Sequence, residues 1–73
     1  MSPRVRRMTA VELERLLAEN GFELVSQRGS HRKWRHPTKG LQAIVPYHKG
    51  RPLPIGTLLH VLKASEIPRE AWT

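Results

Sequence analysis

The chain has 73 residues, too few for two domains at a typical ~100–200 residues each, and no apolar run approaches the ~20 residues of a membrane-spanning helix. It lacks Cys and Asp, which excludes disulfides, thiol nucleophiles, cysteine zinc sites and Ser-His-Asp triads, and leaves Glu12, Glu14, Glu19, Glu23, Glu66 and Glu70 as the only carboxylate side chains. Thirteen Lys and Arg against six Glu give a net charge of +7, which points to a polyanionic partner: nucleic acid, an acidic membrane surface or an acidic protein.

The first eight residues, with Arg4, Arg6 and Arg7, form a basic N-terminal arm, and Met8 is an alternative start. They resemble the charged beginning of a signal peptide, but no apolar segment follows. Thr9 with Glu12 three residues on is a capping box, so a helix begins there. Met8 and Leu13 stand where a hydrophobic staple forms. Ala10, Leu13, Leu16 and Leu17 share an apolar face, with Glu12, Glu14, Arg15 and Glu19 outside it. Asn20-Gly21 ends the helix.

Three strands are predicted next. Phe22–Arg28 is rich in strand formers, and Gly29-Ser30 makes a tight reversal. His31–His36 is polar at every position but Trp34. As a strand it sets His31, Lys33 and Arg35 on one face and Arg32, Trp34 and His36 on the other. Pro37-Thr38-Lys39-Gly40 is a turn, and Leu41–Val45 is a third strand stopped at Pro46.

A basic loop follows, with His48, Lys49 and Arg51. Pro54 suits the first position of a second helix. Ile55, Leu58, Leu59 and Leu62 form its core-facing stripe, and it ends near 64–66. A short tail over 68–73 carries Trp72. With 38% hydrophobic and 26% charged residues, the chain is apolar enough to fold. The expected class is α+β: one α-β-β-β-α domain, with both helices on one face of a three-stranded antiparallel sheet and the other face open.

His31 carries the chemical interest. It follows a tight turn and is surrounded by Arg28, Arg32, Lys33 and Arg35. An imidazole, with an ordinary pKa of ~6.5, can move protons near neutrality. RNA supplies its own nucleophile, the ribose 2′-OH, which a base can deprotonate for attack on the adjacent phosphorus. Neighbouring cations stabilise the charge that develops there. This scheme needs neither metal nor carboxylate. The plainer reading is a surface His in a basic strand that contacts phosphate or nothing.

The other histidines are weaker candidates. His48, with Lys49 and Arg51, either faces the same groove or is a solvated loop residue. His36 suits strand-end packing or turn capping, and His60 lies on the polar side of the second helix. No two His stand at helical i, i+4 spacing, which argues against a metal site. Trp34 either stacks on a base or anchors the core, and its parity opposite His31 favours the core. Tyr47 and Trp72 suit stacking or partner contacts, or ordinary packing. Gly56-Thr57 is either an anion site beside the basic loop or simply a helix start.

Gly29-Ser30-His31 with Trp34 and His36-Pro37, then Pro46-x-His48-x-Gly50, then Leu53-Pro54-x-Gly56-Thr57-Leu58 with Leu62, together resemble the HicA toxin family from about Thr9 to Ile67. The resemblance implies a double-stranded-RNA-binding-domain-like fold over 9–67. It also implies an endoribonuclease toxin of a toxin–antitoxin pair that cuts mRNA in the cytoplasm without the ribosome. No cofactor is implied. The partner would be a HicB-type antitoxin; the toxin alone would be a monomer, and the pair a hetero-oligomer. The family's catalytic His falls on His31, in a turn shaped by Gly29 and Ser30. Arg28, Arg32, Lys33, Arg35, His48, Lys49 and Arg51 would join Gly29 and Ser30 in holding RNA. The family usually has Gly near the end of the second helix, where this chain has Glu66. The competing reading is a non-catalytic double-stranded-RNA or nucleic-acid-binding module.

Overall fold

The computed structural model describes residues 6–72. Arg4 and most of the expected basic arm, and Thr73 at the end of the tail, lie outside the described residues. The order is α1 (Ala10–Glu19), β1 (Glu23–Arg28), β2 (His31–Arg35), β3 (Gln42–Pro46), α2 (Ile55–Ser65) and a 3-10 turn (Arg69–Ala71). The sheet is antiparallel in the order β1-β2-β3, so the expected α+β architecture is the one observed. No described helix is long and apolar enough to cross a membrane.

α1 begins as its local sequence dictates. The Glu12 backbone N–H donates to Thr9 Oγ1 at 3.2 Å, and the Thr9 N–H donates to Glu12 Oε1 at 3.0 Å. Met8 and Leu13 are both buried, as the staple requires. Met8 is therefore part of the domain and not of the arm, and its carbonyl accepts the Leu53 N–H at 2.7 Å. Ala10, Leu13 and Leu17 face the core, but so does Glu14, which the helical pattern had set outside it. Glu14 is compensated there: Arg32 Nε and Trp34 Nε1 donate to its Oε2 at 2.6 and 2.7 Å. A carboxylate held by two donors can be buried at a helix–sheet contact.

α2 is rotated from expectation. Its buried residues are Leu58, Val61, Leu62 and Ser65, while Ile55 is exposed and Leu59 half-buried. The i, i+3, i+4, i+7 stripe exists but starts one turn later, at Leu58, and leaves Ile55 of the first turn exposed. Pro54 is the cap rather than the first helical residue. The helix ends at Glu66 with φ +53, a left-handed conformation usually left to glycine.

The core comprises Met8, Leu13, Leu17, Phe22, Trp34, Val45, Leu53, Leu58, Leu62 and Ile67 among others, all between the helices and one sheet face. β1 lies at the sheet edge with all six residues exposed. Its register with β2 shifts between Leu24 and Ser26, a bulge at Val25. Strand bounds differ from the predicted ones by one residue: Phe22 precedes β1, His36 follows β2, and β3 is shifted by one residue at both ends, so that Pro46 is its last residue.

Candidate nucleic-acid interface and active site

β1 and β2 are joined by the two-residue turn Gly29-Ser30, with Arg28 paired to His31. Gly29 has φ +55, so a side chain there would be strained. Gln27 Nε2 donates to the Gly29 carbonyl at 2.9 Å and braces the turn. His31 is the first residue after it, exposed, on the face away from the helices. The strand period puts Lys33 and Arg35 on that face too. It sends Arg32 and Trp34 to the helix side, where Trp34 anchors the core as its parity favoured.

The open face has a depression of about 480 Å³ lined by Ser26, Gln27, Arg28, His31, Lys33 and Ile44. Arg28, His31 and Lys33 are thus brought together. Arg35 lies further along the same face, between Glu23 and Gln42 in the register. Among the described residues, Arg28, Lys33, Arg35, Lys49 and Arg51 form no ion pair, so their charge is available to an anion.

Arg32, expected among the RNA contacts, is placed otherwise. Its guanidinium binds Glu14, donates from Nη1 to Gln27 Oε1 at 3.0 Å, and lies 5.0 Å from the centre of the Tyr47 ring. It ties α1, β1, β2 and the β3–α2 loop together behind the open face. The sequence alone could not assign this role, because Glu14 is eighteen residues away.

The basic loop forms a second depression of about 470 Å³, lined by Pro46, His48, Arg51, Leu53 and Thr57 with two further prolines. Lys49 is exposed beside it in the turn. The remaining candidates have structural surroundings. His36 packs edge-on to Phe22 with ring centres 5.3 Å apart, and its Nδ1 accepts the Lys39 N–H at 3.2 Å. His60 is exposed on α2. Tyr47 lies beneath Arg32, and Trp72 Nε1 donates to the Ile67 carbonyl at 3.1 Å. Among the described residues no three of His, Cys, Asp and Glu converge on a point that could hold a metal ion.

Ser26, Gln27 and Ile44 line the first depression without having been singled out. Ile44 was legible by parity, since it alternates with Ala43 and Val45 in a predicted strand. Ser26 was not, because the bulge at Val25 carries no sequence signal.

The arrangement offers an imidazole, flanking unpaired cations and an apolar residue on one exposed surface. It can bind a phosphodiester and move a proton beside it. Residues 10–67 match the family model of the HicA toxin of bacterial toxin–antitoxin systems. No curated protein matches the chain. The family match spans well over half of the sequence and includes both depressions, so the toxin half of a toxin–antitoxin pair, with a cognate antitoxin as partner, is the frame in which the site is to be read: this chain belongs to the HicA toxin family.

Proposed function

We propose that this protein is a metal-independent endoribonuclease that cleaves mRNA, with His31 as its general acid/base, and that a HicB-type antitoxin neutralises it in the cytoplasm. The observation that carries the reading is the exposed His31 imidazole at a rigid hairpin end, in one depression with the unpaired cations Arg28 and Lys33. His31 removes the proton of a ribose 2′-OH. The oxygen attacks the adjacent phosphorus, and the bond to the 5′-oxygen breaks, leaving a 2′,3′-cyclic phosphate and a 5′-hydroxyl end. Arg28 and Lys33 stabilise charge on the phosphoryl oxygens, with preorganised cations where charge develops. Arg35 extends the positive surface along the strand, and Lys49 and Arg51 of the loop after β3 hold further phosphates, while Gly29 and Ser30 present His31 and Arg32 braces the sheet from behind. An antitoxin that covers this surface would block the site and stabilise the small fold by binding only its native state.

Incubation of RNA with the purified protein in the presence of a chelator tests the reading. Cleavage is expected, and it should disappear in the His31→Ala variant. A non-catalytic binding module would instead give salt-sensitive binding and no products, since phosphate contacts release counterions.

A further inference from the structure

The two depressions meet at one residue pair. His31 lines the first and Pro46 the second, and the two are register partners across β2 and β3. The pairing continues past the end of β3: the Tyr47 N–H donates to the Ser30 carbonyl at 2.6 Å. Two residues on from Pro46, in the loop that follows β3, His48 lines the second depression with Pro46. The loop is held there from three sides. Tyr47 is fixed to the turn, the Arg32 guanidinium lies over the Tyr47 ring at 5.0 Å, and the Arg51 N–H donates to the His48 carbonyl at 3.3 Å. Arg32 and Tyr47 are the chain neighbours of His31 and His48, so their contact ties together the two segments that carry the imidazoles.

An in-line displacement at phosphorus sets the attacking and leaving oxygens on opposite sides. The base and the acid must therefore stand apart, with the phosphate between them. On the reading that this protein is a ribonuclease, on which the inference rests, we infer that His48 is the second catalytic residue, the general acid that protonates the leaving 5′-oxygen. As the O2′–P bond forms and the P–O5′ bond breaks, His31 takes the 2′ proton and His48 gives its own to O5′. His31 ends the step protonated and His48 neutral, and proton exchange with water resets both. RNA then runs across the His31–Pro46 pair, with Arg28 and Lys33 on one side and Arg51 on the other.

Leaving-group rescue tests this. One substrate is an oligonucleotide with an ordinary scissile phosphodiester; the other carries sulfur in place of the bridging 5′-oxygen, a leaving group that needs no proton. On the ordinary substrate H48A should cleave on the order of a hundredfold or more slower than the parent protein, within the range of general acid catalysis. On the sulfur substrate the two should be close to equal, while H31A stays impaired on both. Equal impairment of H48A on both substrates, or none on either, overturns the assignment and leaves the ribonuclease reading intact wherever the parent protein cleaves. Failure of the parent protein to cleave either substrate above background removes both. His48 is exposed, so its replacement leaves the core untouched.

Discussion

His31 and Glu66 show two ways in which a single residue departs from its surroundings. His31 is one imidazole in a strand that otherwise alternates cations with core contacts, and its exposure makes it available to substrate. Glu66 has φ +53, and it is the only non-glycine among the described residues with positive φ. A left-handed residue with a Cβ costs about 1–2 kcal/mol, part of which glycine loses again through its freer unfolded chain. Glu66→Gly is therefore expected to stabilise the protein by about 0.5–1 kcal/mol in urea denaturation, with RNA cleavage unchanged. A loss of stability would show that the Glu66 side chain contributes more than its backbone strain costs. The departure from the family's usual glycine was visible in the sequence, but the φ angle that gives it meaning was not.

Among the elements, α1 was the most legible because its signals are local. Thr9, Glu12, Met8 and Leu13 act within one turn of one another, and each does what the spacing requires. The bond from the Thr9 backbone N–H, helped by the Thr9 hydroxyl, holds the Glu12 carboxyl below its ordinary value. A depressed folded value gives stability that is present above the unfolded value, about 4.3 for Glu, and lost as pH falls through the folded one. The stability gap between the parent protein and Glu12→Gln should thus shrink as pH is lowered from neutrality to about 3, below the ordinary Glu range. A gap that stays constant would contradict the link between this carboxylate and the helix start. Glu14, two residues on, was not legible, since its burial depends on Arg32 and Trp34 of another element. The orientation of α2 was hidden for a related reason. Its apolar residues are numerous enough to offer more than one stripe, and docking on β3 selects Leu58, Val61 and Leu62. Glu14→Ala leaves the indole N–H and the guanidinium without their acceptor, and it is expected to cost about 2 kcal/mol, reduced by the partial exposure of Arg32. Glu14→Gln keeps an acceptor for Trp34 and should cost less. Chemical denaturation of both variants checks the order, and equal losses would place the whole effect in the charge.

For the whole molecule, the decisive feature is a sheet with one covered face and one open face. The helices and nearly all the large apolar side chains occupy one side. Arg28, Lys33, His31 and the exposed Ile44 occupy the other. This division followed from the α-β-β-β-α order and from the alternation in β2, so fold class and the position of His31 could be read before the structure. The diversion of Arg32 to Glu14 and the pairing of His31 with Pro46 between the two depressions could not, since each depends on how distant segments meet. The central claim is that an imidazole on this open face turns a ribose hydroxyl into a nucleophile. It is tested most directly by cleavage of an oligoribonucleotide whose single scissile position carries hydrogen in place of the 2′-OH, with the parent protein and His31→Ala assayed side by side in chelator. The account expects the parent protein to cut the all-ribose strand and to leave the deoxy-substituted one whole, and His31→Ala to cut neither. Cleavage of the substituted strand at that position, or full activity without His31, would contradict it.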